Sequence, residues 1–367
     1  MPGAGSRIDA LHARAYRIPT DKPEADGTLE WNSTTLVVAE VEAAGEQGLG
    51  YTYSAAAIVP LIADTLAMAV RGRDAFDIPG CWMALQRSVR NLGREGLAAT
   101  AISAVDLALW DLKAKLLGLP LARLLGQCRS AVPIYGSGGF TSYDDDELCE
   151  QLSGWVEHEG CRWVKMKIGT CPGDDARRVS LARRAIGDRG LFVDANGAYS
   201  LKQAQRLSQA FGAEHVRWFE EPLSSDDLAG LARLRSLLPA GMDLAAGEYG
   251  YTGEYFRAML DSGAVDVLQA DVTRCGGITG FLAAGALCET AHTDLSSHCA
   301  PAAHLAVACA VPRLRHLEWF HDHARIERRV FDGAPVPRNG MIRPDLSRPG
   351  HGIEFKRADA EAFRCAA

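Results

Sequence analysis

The chain has 367 residues, 47% of them hydrophobic and 23% charged, an ordinary globular composition with length for one large domain and a smaller companion. Its net charge of -7, from 46 acidic and 39 basic residues with no long run of either sign, argues against a nucleic-acid partner, which needs a basic face. Ten cysteines without a C-x-x-C pair indicate neither a zinc ribbon nor a disulfide framework, and are expected to be free, mostly buried thiols in a reducing cytoplasm.

In chain order, the N-terminal stretch "MPGAGSRIDALHARAYRIP" has no apolar run long enough for a signal peptide. "STTLVVAEVEAAGEQGLGYTY" alternates and turns around Gly45, which predicts antiparallel strands. "AAAIVPLIADTLAMAV" is the most apolar window, but Pro60 and Asp64 interrupt it, so no membrane span is expected. Helical patterns cover 59–70 and 97–118, the second stopped by Gly118 and Pro120. Strands followed by helices predict an α+β domain over 1–126.

From residue 131 the rhythm changes to short apolar strands alternating with helical segments. The predicted strands are "VPIYGSGG", "WVKMKIG", "LFVDAN", "VRWFEEP", "LAAGE", "DVLQAD", "DLSSH" and "HLEWF". Eight strand-then-helix units predict a closed parallel barrel over 127–325. An open doubly wound sheet would carry a Gly-rich phosphate turn, and "GSGGF" lacks the G-x-G-x-x-G spacing. After about residue 325 the chain reads as irregular and rich in Pro and Gly, and 326–367 is expected to pack back on the first domain.

"WVKMK" sets Lys165 and Lys167 on one face of a strand. Solvated lysines are the ordinary reading, since buried lysine needs a partner. Carboxylates at the ends of neighbouring strands overturn it. Asp194, Glu220 and Glu248 end the next three strands, and Asp271, His298 and Glu318 lie on the last three. In a parallel barrel these C-terminal ends share one mouth. Three carboxylates meeting there repel unless a cation sits among them, and a hard divalent ion such as Mg²⁺ fits oxygen donors. Asp271 beside His298 makes a base of the imidazole. A lysine close to a second cation and a metal ion loses proton affinity, so one of the pair is expected to serve as a neutral base while the other binds an anion. "HDH", His321 to His323, reads as a loop rather than a metal pair.

The motifs "KMK", "VDAN", "FEEP", "GE", "QAD", "SSH" and "LEW", in that order, resemble the enolase superfamily and within it the mandelate racemase subgroup. The resemblance covers essentially the whole chain. It implies an α/β fold, a modified TIM barrel of (β/α)7β type with an α+β capping domain and a C-terminal segment rejoining the cap. It implies Mg²⁺ on Asp194, Glu220 and Glu248, Lys167 as one base, and Lys165 on the substrate carboxylate. His298 paired with Asp271 would be the second catalyst, and Glu318 a protonated acid bonded to that carboxylate. Asn196 would reach the substrate or a metal ligand. Relatives that cyclise muconate or epimerise dipeptides place a lysine at the end of strand six, where "QADVTRC" has Asp271 and Arg274, so those activities are not expected.

The implied partner is a small-molecule carboxylate, met by a cytoplasmic homo-oligomer, dimeric or octameric. The shared step is loss of the proton α to that carboxylate, giving an enediolate. Dehydration of an acid sugar to a 2-keto-3-deoxy acid and racemisation or epimerisation of an α-hydroxy acid use the same residues. The polar stretch "IPTDKPEADGTLEWNS", with Lys22, Glu24 and Asp26 available for hydroxyls, leans towards the acid sugar; "GYTYSAAA" is the second stretch expected over the substrate. After strand one only Ser137 offers a side-chain hydrogen bond, and Ser137 and Arg274 join Asn196 as candidate substrate contacts. A metal-dependent amidohydrolase would need H-x-H on the first strand, which "VPIYGSGG" lacks; a non-catalytic metal-binding scaffold would not need both bases.

Overall fold

The computed structural model describes residues 6–365, so the outermost residues of the first and third expected segments, and the first five of the N-terminal stretch, lie outside it. The first part is an antiparallel sheet of three strands, β1 (Ile8–Ala25), β2 (Glu30–Ala43) and β3 (Glu46–Tyr53), in that order. The turn at Gly45 is where the alternation places it. β1 was not legible in the sequence. Its 18 residues show no clean alternation, and pairing with β2 across an irregularity between Pro19 and Glu24 holds it extended.

Helix Leu97–Leu116 lies on this sheet with most of its residues buried. Its approach is close because Gly50 presents no side chain: a Cβ there would stand 2.1 Å from the Ala104 carbonyl. The helical run over 58–70 contains a wide turn at Ile62–Leu66, and the helix Ile78–Ser88 completes the layer.

The barrel strands are β4 (Val132–Gly138), β5 (Trp163–Lys167), β6 (Gly190–Asp194), β7 (Val216–Glu220), β8 (Asp243–Ala246), β9 (Val267–Ala270), β10 (Asp294–Ser297) and β11 (Leu317–Phe320). Each pairs in parallel with the next through β10, and β11 pairs in parallel with β4. Backbone bonds from Leu295 and Ser297 to Arg313 and His316 join β10 to the approach of β11 and close the ring. Seven helices follow the first seven strands, which makes a (β/α)7β barrel beside a capping domain.

Alternation sorts the strand residues into two populations. Val164, Met166, Leu191, Val193, Phe219, Leu268 and Leu317 join the large apolar core outside the strands. The other face looks inward. Tyr135, Phe192, Trp218, Ala245 and Val267 fill its lower layer, and the charged strand ends stand above them.

The helix after β11 runs His321–Val330, so the expected irregular chain after residue 325 begins later and the 325/326 boundary falls inside a helix. Beyond it the tail returns to the cap. Cys365 N–H donates to Ala15 O at 2.9 Å, His351 N–H to Asp111 Oδ1 at 2.7 Å, and Arg357 pairs with Glu40. Among the described residues no helix is long and apolar enough to cross a membrane.

Candidate active site

The two lysines of β5 point into the barrel and are buried there. Lys165 Nζ pairs with Glu220, with Glu318 Oε1 at 2.7 Å and with Asp194 Oδ2 at 3.4 Å. Lys167 Nζ lies 2.5 Å from Asp194 Oδ2. Burial opposes charge on both lysines, but Glu220 and Glu318 around Lys165, and Asp194 beside Lys167, outweigh it and hold both pKa values above the ordinary range. Burial would raise Asp194, yet Lys167 and Lys165 bring it down to about 2. Both lysines are thus charged partners of these carboxylates, and the expected neutral base depends on a metal ion beside the pair.

Asp194 and Glu220 end β6 and β7, Glu248 lies two residues beyond β8, and one oxygen from each lies within 4.8 Å of the others, all buried. An octahedral Mg²⁺ with bonds of about 2.1 Å sets neighbouring ligand oxygens about 3 Å and opposite ones about 4.2 Å apart, and three oxygens confined within 4.8 Å of one another are close enough to share such an ion. Glu248 Oε2 is buried without a hydrogen bond, an acceptor left for a cation. The donor set is all oxygen and suits Mg²⁺. The Trp218 indole, two residues before Glu220 and on its face, donates to Glu220 Oε2 at 2.8 Å.

At the other end of this carboxylate row stands His298. Its Nδ1 donates to Asp271 Oδ2 at 2.8 Å, and its Nε2 lies 3.5 Å from Glu248 Oε2. Asp271 is further held by the Thr273 N–H and hydroxyl, both at 2.7 Å. Burial alone would raise Asp271, but the His298 bond and the Arg274 charge hold it below the usual carboxylate range. Around the ring, Lys167 on β5 and His298 after β10 thus flank the three carboxylates of β6, β7 and β8.

Glu318 accepts the Ser137 hydroxyl at 2.6 Å on Oε1 and the Cys299 N–H at 2.7 Å on Oε2. Burial would keep it protonated, but the Lys165 charge overrides this and holds its pKa below the carboxylate range. Ser137 is fully buried and its hydroxyl is bonded to Glu318, so it positions that carboxylate. Arg274 is drawn to Glu248 Oε1 at 3.3 Å and lies over the Tyr249 ring. Asn196 donates its backbone N–H to Asp194 Oδ1 at 3.0 Å, while its own Oδ1 is buried without a partner.

The polar stretch at 18–33 is not a loop but the far end of the β1–β2 hairpin, laid on the barrel mouth. Thr141 and Thr170 hydroxyls donate to Asp26 O at 2.9 and 2.7 Å, and Trp31 packs with Phe140, Tyr143, Cys299 and Phe320. Each of its three expected hydroxyl partners already has a protein partner, although Glu24 Oε1 is buried without one. Lys22 pairs with Glu147, Asp26 Oδ1 takes the Thr28 and Leu29 N–H groups, and Glu24 takes the Trp31 indole. Burial, with Asp322 nearby, pushes Glu24 up to about 9. From "GYTYSAAA", Thr52 donates to Thr273 O at 2.7 Å and Tyr53 stacks on His323 at 3.4 Å, so this strand end braces the Asp271 loop. "HDH" is the first turn of a helix rather than a loop, and His323 is buried.

Three neighbours escaped the sequence reading. Glu221 turns into the site through a positive φ of 36°, buried beside Glu248. His304 accepts the Val272 N–H at 2.8 Å and steadies the Asp271 loop from a helix far along the chain. Cys299 Sγ touches His298 Nε2 at 3.3 Å. Position next to a marked residue was the signal for Glu221 and Cys299; His304 had none.

The pattern of the mandelate racemase / muconate lactonizing enzyme N-terminal domain matches residues 18–126, and that of the enolase C-terminal domain-like family matches 147–360. The chain is similar to a 3,6-anhydro-alpha-L-galactonate cycloisomerase of Streptomyces coelicolor, 31% identical over 95% of this chain and 98% of that one. It is 32% identical to the L-talarate/galactarate dehydratase of Salmonella typhimurium over 90% of this chain and 86% of the relative. Among solved structures, a mandelate racemase/muconate lactonizing enzyme-like protein from Rubrobacter xylanophilus superposes with a TM-score of 0.96 at 49% identity, covering 98% of this chain and 100% of that one. A racemase from Streptomyces coelicolor with bound magnesium gives 0.92 at 30% identity over 98% and 100%.

Proposed function

The chain belongs to the mandelate racemase subgroup of the enolase superfamily, and from that premise we propose that it dehydrates an acid sugar to a 2-keto-3-deoxy acid by removing the proton α to the carboxylate. The observation that carries the reading is the row Asp194–Glu220–Glu248 with Lys167 at one end and the His298–Asp271 pair at the other. Those three carboxylates would hold Mg²⁺, which supplies positive charge against the negative charge that a carboxylate gains as its α-proton leaves.

The chain's own residues do the rest. Lys165, already placed between acidic groups, binds one substrate carboxylate oxygen. Lys167 in its neutral form takes the α-proton. His298 Nε2 gives a proton to the β-hydroxyl, which leaves as water, and the enol tautomerises. Asp271 holds the imidazole with Nε2 towards the row. The Trp31 side of the hairpin and the Tyr53 side of the cap exclude water from the mouth.

The preference for dehydration draws on the dehydratase among the relatives, because Lys22, Asp26 and one oxygen of Glu24 already have protein partners. If His298 returned its proton to the α-carbon, the same site would racemise or epimerise. The ten cysteines, all free, suit work in the cytoplasm. The deciding experiment is proton NMR in D₂O with Mg²⁺ and a panel of acid sugars and simple α-hydroxy acids. A new deoxygenated methylene supports dehydration. Loss of the α-proton signal with the skeleton intact supports racemisation, and no change in any compound overturns both.

A further inference from the structure

Beside the proton-moving nitrogen lies a second donor set of different chemistry. His298 Nε2 and Cys299 Sγ are 3.3 Å apart, and ligand atoms of His298, Cys299 and Glu318 lie within 4.8 Å of one another, all three residues buried. The thiol is held there by an unusual backbone. Cys299 and Ala300 have successive φ values of 50° and 40°, left-handed positions that are strained for non-glycine residues. The Cys299 N–H on Glu318 Oε2 pins this turn and leaves that oxygen a second lone pair.

The geometry matches a metal chelate. A tetrahedral Zn²⁺ with bonds of about 2.3 Å to sulfur and about 2.0 Å to nitrogen sets the two donors about 3.5 Å apart. The observed separation agrees within the tolerance of about 0.2 Å that such sites allow. His298 is also oriented as zinc-bound histidines are, its far nitrogen on a buried carboxylate. Softness separates the two sites: three oxygens for Mg²⁺ on one side, and nitrogen, sulfur and oxygen for a thiophilic ion on the other.

We propose that His298 Nε2, Cys299 Sγ and Glu318 form a second, inhibitory site for a thiophilic divalent metal ion such as Zn²⁺, with one coordination position left open. Binding breaks the S–H bond, forms the S–metal bond and releases the thiol proton to solvent. It also occupies the Nε2 lone pair, so a chain carrying this ion cannot deliver the proton that the reaction requires.

Cobalt reads the site without any substrate, because a thiolate bound to Co²⁺ absorbs in the near ultraviolet and all-oxygen coordination does not. The full chain, saturated with Mg²⁺, is titrated with Co²⁺ and then with Zn²⁺. The expected result is a thiolate band that saturates at one equivalent, is displaced by Zn²⁺, and is missing in both Cys299→Ser and Cys299→Ala. Zn²⁺ should also suppress α-proton exchange in the wild type at concentrations at least about tenfold below those needed in the variants. No band, or one that persists in both variants, overturns the proposal, as does equal sensitivity of all three proteins to Zn²⁺. A failed substrate panel leaves the cobalt measurement intact, so the two readings fail separately.

Discussion

Replacing Lys165 by methionine keeps the length of the side chain and removes the charge from among three buried carboxylates. In the metal-free protein Lys165 contacts Glu220, Glu318 at 2.7 Å and Asp194 at 3.4 Å. Burial and Asp194 already raise Glu220 in the wild type, whereas the Lys165 charge holds Glu318 below the carboxylate range against burial; without that charge Glu318 stays protonated on folding. Starting from the ordinary value of 4.5, holding that proton costs about 1.36 kcal/mol per pH unit, or about 4 kcal/mol near pH 7.5 and about 1.4 kcal/mol near pH 5.5. The sign is that of a folded pKa raised above the unfolded one: the stability is full below about 4.5 and lost as pH rises. Urea unfolding of wild type and variant in chelator should therefore show a gap of about 4 kcal/mol that shrinks by about 2.7 kcal/mol on acidification. Mg²⁺ at about 100 times its dissociation constant stabilises a binding protein by about 2.7 kcal/mol, and it should narrow the gap because it replaces the missing charge. A gap independent of both pH and Mg²⁺ would refute the assignment of Lys165 as the counter-ion of this cluster.

Asp271→Asn should lower α-proton exchange by about 10- to 100-fold while calorimetric Mg²⁺ binding is unchanged, because it frees the His298 ring without touching the carboxylate row. Gly27→Ala puts a Cβ 2.4 Å from the Ala195 carbonyl and 2.7 Å from that of Ile168. It should lift the hairpin, raise KM and cost about 1–3 kcal/mol in urea unfolding, with Mg²⁺ affinity retained. Glu24→Gln removes a carboxyl whose pKa burial raises to about 9 from 4.5. The wild type loses stability as pH climbs from about 4.5 to about 9, so the variant should gain up to about 3 kcal/mol on it near pH 7 and nothing near pH 4. A constant difference across that range would count against a protonated Glu24.

The barrel strands and their charged ends were legible in the chain because both are local. A strand of period two writes its inward residues at every second position, so Lys165 and Lys167, Trp218 and Glu220, and His316 and Glu318 each declare a shared face. Parallel order then brings successive strand ends to one mouth, and Asp194, Glu220 and Glu248 meet there. What the sequence could not determine depends on contacts between distant segments. β1 is a strand because β2 pairs with it, not because of its own pattern. Nothing in the sequence shows that the Ser137 hydroxyl is bonded to Glu318 on the strand beside it. The polarity of the hairpin suggested free hydroxyl partners, yet Glu147, Trp31 and the hairpin's own backbone engage Lys22, one oxygen of Glu24 and Asp26. Distances within the mouth follow the same rule: strand spacing puts the lysines and carboxylates at one end of the barrel, but only the folded chain seats Glu220 and Glu318 on Lys165 and Asp194 on Lys167.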